Sequence, residues 1–203
     1  MSTATTEALR LDLNQVQSPD EPDWMTRLRA ESLEGFQTLP FPTSQWESWR
    51  RTPPEKFHPG ARPWAPVLTR TEGAEALSDV LKARPDEVRR DFMAAVPQDD
   101  AFVRLNGAFW SNGGFVQIPK DHQADRPIRV DNRVEQGGAA FPHSLVRAGR
   151  FSRAVVIETF RSSEEDTLAV PVVEIQVEAG ARLDYLVVHQ WGSRTRYLPI
   201  LRA

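Results

Sequence analysis

Histidine is the residue type in this chain best suited to bind a metal or to move a proton near neutral pH. The chain has four of them: His58, His122, His143 and His189. No two have the i, i+4 spacing that places two ligands on one face of a helix. Cysteine is absent, which excludes disulfides, cysteine nucleophiles and thiolate metal sites within this chain. We therefore assign no metal-binding residue from the sequence.

Two of the histidines fall in predicted strands, where a structural role is the favoured interpretation. His143 follows Pro142 at the start of a strand, and we expect a hydrogen-bonded residue at the edge of a sheet. His189 is in phase with Leu183 and Tyr185, so we expect it to pack with them. A metal role is the alternative for either histidine, because neutral imidazole is a common ligand, but one imidazole alone is insufficient.

The carboxylates also lack a spacing that would carry chemistry. Residues 162–166 (SSEED) form an acidic cluster in a predicted turn, and we expect a solvated loop there. Asp121, Asp125 and Asp131 are spread over a turn-rich stretch without the calcium-loop pattern. No glycine-rich segment is followed by the lysine and the serine or threonine of a phosphate-binding loop. The sequence therefore predicts no catalytic residue, no cofactor-binding residue and no enzymatic activity.

The composition is that of a folded chain without a strongly charged surface. Of the 203 residues, 40% are hydrophobic and 26% are charged, which favours a globular protein over a disordered one. The formal net charge of -3 provides no strong positive field for nonspecific binding of nucleic acid or of an anionic membrane. No apolar run reaches the ~18 residues that span a bilayer, and residues 1–14 lack the pattern of a secretory signal. We expect a cytoplasmic protein.

The first half of the chain predicts a tail followed by helices and coil. Residues 1–22 are polar, and we expect a flexible tail. Residues 23–98 form a helical and proline-rich region. Its first helix should begin at Pro22 and Asp23 and end before residues 39–42 (LPFP), because proline suits the first turn of a helix and breaks its interior.

Prolines are dense in residues 40–66, and no regular element survives so many missing amide donors. We expect a coil that is pinned to the domain by its buried aromatic side chains, Trp46, Trp49, Phe57 and Trp64. An aromatic cage for a ligand is the alternative.

Two more helices are predicted before residue 98. Thr69 and Glu72 have the spacing of a capping box, and Pro85 should interrupt the helix that follows them. Asp86 can cap a further short helix. Its inward-facing residues would be Val88, Phe92 and Ala95.

The apolar period changes to two after residue 100, so we expect residues 101–203 to form the first part of a β domain. Val173, Ile175 and Val177 should be buried, with Glu174 and Gln176 more exposed. Leu186 and Val188 suggest burial on both faces of the next strand. A weak echo, VRAG at 146–149 and VEAG at 177–180, favours stacked short strands in a solenoid or a sandwich over a βαβ fold.

The last residues, 197–203 (YLPILRA), are apolar and follow a strand closely. A β-solenoid needs a terminal cap over its last apolar layer, and no capping segment is evident. We expect a chain that is cut in mid-domain, with an uncovered end near residues 183–201 that self-associates.

Several segments resemble the SufB/SufD family, the core subunits of the SUF iron–sulfur cluster assembly machine. The longest is residues 101–120, AFVRLNGAFWSNGGFVQIPK. The segments at 126–128 (RPI), 141–146 (FPHSLV) and 173–183 (VEIQVEAGARL) follow in the family's order and spacing. Residues 42–52 resemble the family more loosely. SufD is the nearer of the two paralogues, since SufB-like chains usually carry an N-terminal cysteine motif.

The resemblance implies an N-terminal helical region and a right-handed parallel β-helix, here truncated. It implies a scaffold subunit that pairs with a SufB-like subunit and works with a SufC-type ATPase, largely through regions beyond this sequence. The complete complex would handle an iron–sulfur cluster and ATP. No position here matches the family's proposed cluster ligands, so we expect this chain alone to bind no cluster.

Two other functions compete with the scaffold. One is a carbohydrate-binding or carbohydrate-active protein on a β-helix or β-sandwich, with Trp110 and Trp191 lining a groove. The other is an interaction module without any cofactor role.

Overall fold

The structure is a computed structural model that describes residues 11–203. Its α-helices precede the main sheets. They are α1 (Asp23–Thr38), α2 (Leu77–Ala83), α3 (Pro85–Arg89) and α4 (Ala101–Phe109). Short 3-10 helices cover Leu13–Gln15, Glu47–Trp49 and Pro54–Phe57. Helix α1 confirms the predicted first helix: Pro22 precedes it, and the Leu39–Pro40 pair ends it because a residue before proline avoids the helical region.

Helix α4 corrects the expectation that the stacked strands begin at residue 101. The Asp100 side chain accepts hydrogen bonds from the amides of Phe102 and Val103 and so caps the first turn. Nearly every residue of the helix is buried, so its sequence lacks the polar stripe that marks a surface helix. A short apolar run of this kind does not distinguish a buried helix from a strand.

The second predicted helix is also misplaced. Thr69 and Glu72 lie in a strand, and α2 begins only at Leu77. The strand forms because Thr69 pairs with Asn132 in an antiparallel register, where the threonine hydroxyl donates to the asparagine side-chain oxygen at 2.8 Å. The third helix, α3, ends at Arg89. Val88 and, beyond the helix, Phe92 are buried as predicted, whereas Ala95 is exposed.

Residues 11–203 contain twelve strands, numbered in chain order. They are β1 (Leu68–Glu72), β2 (Glu75–Ala76), β3 (Gly114–Ile118), β4 (Ile128–Val134), β5 (Gly138–Ala140), β6 (His143–Ala148), β7 (Arg153–Ser162), β8 (Thr167–Ala169), β9 (Val172–Val177), β10 (Arg182–Gln190), β11 (Thr195–Tyr197) and β12 (Ile200–Arg202). Sheet I has the order β12-β9-β6-β3-β2, sheet II the order β1-β4-β7-β10, and sheet III the order β11-β8-β5.

Strands β3 to β11 form three stacked coils of a parallel β-solenoid. Each coil contributes one strand to each sheet, and the strands of successive coils pair in parallel, as in β3 with β6 and β6 with β9. The chain thus runs three times around one interior. This confirms a mainly β solenoid preceded by helices.

The weak sequence repeat, VRAG at 146–149 and VEAG at 177–180, differs by two residues from the pairing of strands β6 and β9. Val146 pairs with Ile175, and Ala148 pairs with Val177. The repeat is clearer at one corner of the coils, where Asp121, Phe151 and Gly180 have φ values of 61°, 57° and 75°. The Asp121 and Phe151 amides donate to the next coil at Arg150 and Ala179, so this left-handed corner repeats along the stack.

The first coil has all its sheet edges covered. Strands β1 and β2 pair antiparallel with β4 and β3, and residues 63–65 exchange backbone hydrogen bonds with Ala139 of β5. Strands β10, β11 and β12 are the outermost strands at the other end of the sheets. Leu186 and Val188 of β10 are 47% and 36% exposed, contrary to the predicted burial on both faces.

The register predicted for β9 is correct, but the predicted exposure of Glu174 is wrong. Val173 and Ile175 point into the solenoid and are buried, and Gln176 is half-buried. Glu174 points outward yet is 1% exposed, because the helical region packs on that outer face of sheet I. Val177, at the end of its strand, is 49% exposed rather than buried.

The proline-rich segment lies against the domain as predicted, except at one residue. Trp49 stacks on Phe102 of α4 with ring centroids 5.5 Å apart, and Phe57 contacts both rings. Trp64 donates to the Phe109 carbonyl at 3.0 Å. Trp46 is instead 43% exposed.

The residues before α1 are partly packed rather than free. Leu11 is 6% exposed. Glu21 and Arg29 form a salt bridge of 2.9 Å with side chains 4% and 3% exposed. The part of the predicted tail from residue 11 to 22 is therefore tied to α1, and residues 1–10 lie outside the described chain. The proposed domain division stays a prediction.

Candidate functional site

A buried polar cluster joins the helical region to the solenoid. We call it the His143 cluster, and it consists of Asn106 on α4, His143 on β6 and Glu174 on β9. All three residues are at most 1% exposed. The solenoid brings His143 and Glu174 to neighbouring strands of sheet I, and α4 lies across their outer side. His143 was expected at a sheet edge, but β6 is an interior strand of its sheet.

The hydrogen bonds of the cluster fix the orientation of the imidazole. The Asn106 amide donates from Nδ2 to the carbonyls of Pro142 and Val170 at 2.8 Å each, so its Oδ1 is left to accept. That oxygen lies 2.7 Å from His143 Nδ1, which therefore donates. The opposite nitrogen, Nε2, lies 2.9 Å from Glu174 Oε1.

The Glu174 carboxylate sits in a small nest of backbone amides. Met93 N donates to Oε1 at 2.6 Å and Ala95 N donates to Oε2 at 2.7 Å. Met93 has a φ of 62°, which turns successive amides toward one point. These two amides and His143 Nε2 converge on the one carboxylate. Phe92 stacks on the imidazole with centroids 4.1 Å apart and shields it.

A second buried polar cluster lies inside the solenoid. Glu158 on β7 is 1% exposed. It accepts hydrogen bonds from the Ser144 hydroxyl at 2.5 Å, from the Asn132 amide at 2.6 Å and from the Tyr185 hydroxyl. Burial raises the pKa of Glu158, and the three hydrogen bonds oppose that shift. Burial and the neighbouring carboxylate raise the pKa of Tyr185.

Both clusters are built to hold elements together rather than to act on a substrate. The Glu158 cluster joins successive coils, and the His143 cluster joins α4 to two coils. Solvent does not reach the His143 or Glu158 side chains. Buried polar groups with satisfied hydrogen bonds fix one arrangement of the backbone, because every alternative register leaves them unpaired. The clusters therefore set the register of the coils and the position of the helical region.

The remaining histidines do not converge on these clusters. His189 lies on the inner side of the last coil and packs there as predicted, but against aromatic rings and with part of its surface exposed. It stacks with Phe160 and Trp191 and lies tilted against Tyr197. His58 contacts Phe36 and Phe41, and His122 is in an exposed turn. Within residues 11–203, no three histidine, aspartate or glutamate side chains are grouped so that they could hold a metal ion.

The acidic cluster at 162–166 is more ordered than a solvated loop. Glu164 accepts from the Ser193 amide and hydroxyl at 2.8 and 2.7 Å. Asp166 pairs with Arg62 at 3.0 Å and with Arg196 at 2.7 Å. These contacts tie the turn to the coils before and after it. Two of the three aspartates that were compared with the calcium-loop pattern form ion pairs: Asp121 with Lys120 and Asp131 with Arg161.

Sequence reasoning missed Asn106 and Glu174 as members of one cluster. Both are polar residues within strongly apolar stretches, which is a signal of a buried hydrogen-bonded group. The period-two pattern of β9 led to the wrong exposure for Glu174. A strand in which polar and apolar residues alternate is predicted to have its polar face in solvent.

Comparison with known proteins supports a relation that the fold alone does not identify. Residues 130–202 match the family model described as SUF system FeS cluster assembly, SufBD core domain. The matched segment begins in β4 and includes β5 to β12, which is most of the solenoid. Within residues 11–203, no helix combines the length and the apolar character needed to span a membrane.

Curated relatives carry the same description. The iron–sulfur cluster assembly protein SufB of Bacillus subtilis is 25% identical over 86% of this chain and 48% of its own length. A SufBD family protein of Staphylococcus epidermidis is 28% identical over 56% of this chain and 25% of its own length. A chloroplastic SufBD family protein of Arabidopsis thaliana is 30% identical over 57% of this chain and 22% of its own length.

The chain thus spans about half the length of the SufB protein that it matches, and a smaller share of the other two. The matches name both SufB and the joint SufBD family, and they do not separate SufD from SufB. Residues 130–202 match the SufBD core domain family of the SUF iron–sulfur cluster assembly system, and the chain as a whole is similar to SufB and SufBD family proteins.

Proposed function

We propose that this chain is part of a non-enzymatic scaffold subunit of the SUF iron–sulfur cluster assembly complex. In this proposal the subunit is SufD-like, pairs with a SufB-like subunit and works with a SufC-type ATPase in the cytoplasm. The cluster is the cargo of the complete complex rather than a resident group of this chain.

The match of residues 130–202 to the SufBD core domain carries the proposal. The structure agrees with a scaffold role, because the polar side chains that converge do so in the buried His143 and Glu158 clusters. Each cluster links elements that are far apart in sequence, such as α4 with β6 and β9. The SufD-like assignment rests on the absence of cysteine, since SufB-like chains usually carry a cysteine motif.

The carbohydrate-binding alternative is not favoured. Its groove required accessible aromatic rings, but Trp110 is 1% exposed and donates from its ring nitrogen to the Met25 sulfur at 3.3 Å. Trp191 stacks between Phe160 and Tyr197 at the end of the solenoid. Trp110 borders a surface cavity, but its buried ring offers no open face on which a sugar could stack.

Co-purification tests the proposal. The full-length protein, tagged and expressed in its own cells, should retain a SufC-type ATPase and a SufB-like subunit at defined ratios through size exclusion. An interaction module outside the SUF system would purify with other proteins, and a carbohydrate-binding protein would bind glycans and retain neither subunit. Either result would overturn the proposal.

Anaerobic reconstitution with iron and sulfide tests the role of the cluster as cargo. The 203-residue chain should show no cluster absorbance in the visible region, since it has no cysteine and its described part has no group of metal-ligating side chains. A stoichiometric cluster on this chain would contradict the proposal that it carries no cluster by itself.

A further inference from the structure

The outer face of sheet II is the broad sheet surface that the fold leaves open. Helices α1, α2 and α4 share an apolar cluster with Phe115, Leu145 and Val172 on the outer face of sheet I. Ala139 and Leu168 of sheet III share another with the aromatic side chains of the proline-rich segment. In sheet II the inward residues Val130, Val156 and Phe160 are buried, whereas their outward neighbours are exposed or half-exposed.

The strand register places an apolar patch on this face. Ile157 on β7 pairs with Leu186 on β10, and Thr159 pairs with Val188. Leu186 and Val188 are 47% and 36% exposed, and Val155 and Ile157 beside them are half-buried. Adjacent strands lie ~4.8 Å apart, so these side chains form one continuous patch.

Arginines surround the patch, and some of them stand beside each other. Arg133 pairs in register with Arg161, and Arg153 pairs with Arg182. Like charges directly opposite on neighbouring strands destabilise a sheet. The outward arginines of the face are Arg70, Arg129, Arg133, Arg153, Arg161 and Arg182.

Carboxylates on the face balance only part of this charge. Asp131 pairs with Arg161 at 2.7 Å, and Glu135 lies 3.6 Å from Arg133. Glu72 and Asp184 lie 3.9 and 4.0 Å from Arg129 and Arg182. Arg70 and Arg153 have no carboxylate within salt-bridge distance among residues 11–203. The face is therefore positive in a chain whose formal net charge is -3.

We propose that the outer face of sheet II docks an acidic protein surface with an apolar centre. An apolar centre with a rim enriched in arginine is the composition of a protein interface. Carboxylates of the partner would pair with Arg70 and Arg153 and offset the excess of arginine on the face. A second copy of this chain fits poorly, because a two-fold interface would bring this positive face onto itself. The apolar patch distinguishes the face from a nucleic-acid surface, which is dominated by phosphate contacts.

Photo-crosslinking in the source cells tests the proposal. A photoreactive amino acid replaces Leu186 at the patch, and the control replaces Phe151, an equally exposed ring at 55% on a corner of the coils. The Leu186 site should give one dominant protein adduct whose crosslinked segment is net acidic. The Phe151 site should not give it.

Charge reversal then tests the role of the arginines. Arg70→Glu with Arg153→Glu should reduce the adduct about tenfold, because like charges now face each other. Arg27→Glu with Arg51→Glu, exposed positions that make the same change in net charge, should leave its yield unchanged.

Several results would overturn the proposal. They are no adduct at Leu186 above the Phe151 control, an adduct with a second copy, an adduct lost on nuclease treatment, or an adduct insensitive to the reversal at Arg70 and Arg153. A dominant acidic partner outside the SUF system would leave this proposal standing and contradict the proposed function. The two proposals therefore fail separately.

Discussion

Replacing Glu174 by alanine should destabilise the protein more than any comparable change at a surface carboxylate. The substitution removes the acceptor of three contacts: the amides of Met93 and Ala95 at 2.6 and 2.7 Å, and His143 Nε2 at 2.9 Å. An unsatisfied buried amide costs about 1–3 kcal/mol. His143 would also lose its buried hydrogen-bond partner, at a cost in the same range.

These costs overlap, because the loop at residues 93–95 can relax once its acceptor is gone. We therefore expect the three lost contacts together to lower the free energy of unfolding by about 4 kcal/mol. A domain is stable by about 5–15 kcal/mol, so the change should be large but measurable. Urea unfolding followed by tryptophan fluorescence suits the assay, since the chain has six tryptophans.

Glu178→Ala is the matched control. That carboxylate is exposed and accepts one hydrogen bond, from the Arg150 amide at 3.1 Å, so its loss should cost below about 1 kcal/mol. If Glu174→Ala does not fold, Glu174→Gln keeps one acceptor and should show a smaller loss. In the double variant with His143→Ala, the losses should fall short of additive by at least about 1 kcal/mol. A Glu174→Ala loss as small as the control's would refute the role assigned to the cluster.

Three further predictions concern other buried or strained positions. Burial raises the folded pKa of Glu158 above 4.5, so this carboxyl stabilises the fold at low pH and loses that contribution as pH rises through the folded pKa. Unfolding free energies measured from about pH 4 to about pH 8 should therefore shift in favour of Glu158→Gln as pH rises, and a constant difference would contradict this. Gly180 has φ 75°, and an added Cβ would lie 2.3 Å from the Phe151 ring, so Gly180→Ala should lower the free energy of unfolding by about 1–3 kcal/mol. Adding Phe151→Ala should restore part of that stability, and no restoration would remove the steric explanation. Arg29→Met breaks the buried Glu21–Arg29 ion pair, so it should cost about 3–5 kcal/mol in the free energy of unfolding and speed proteolysis of residues 11–22. Arg27→Met, on the exposed side of α1, should do neither, and equal effects of the two variants would show that this ion pair does not hold residues 11–22 against α1.

Local signals predicted the elements whose boundaries are set by nearby residues. Helix α1 lies between Pro22 and Pro40, and prolines limit a helix whatever its tertiary contacts are. The period of two gave the register of β9, with Val173 and Ile175 facing the interior. The family resemblance added the parallel stacking of strands, which periodicity alone left open between a solenoid and a sandwich.

The errors arose where distant packing decides the outcome. Helix α4 is buried on nearly every side, so its sequence carries no helical period. Glu174 is buried because a separate segment, residues 92–96, folds over its strand. His189 occupies an inward position as its phase predicts, but no further strand lies over β10 within the described chain. In each case the missing information is which element covers a given face.

The most direct test of the central claim is the state of iron–sulfur enzymes in cells that lack the gene. In the source organism, deletion of the gene should lower the cluster occupancy of [4Fe–4S] enzymes without lowering their protein levels. The wild-type gene should restore that occupancy, and the Glu178→Ala control should restore it equally. Unchanged cluster occupancy in the deletion strain, with the SUF system as the source of those clusters, would contradict a role in iron–sulfur cluster assembly.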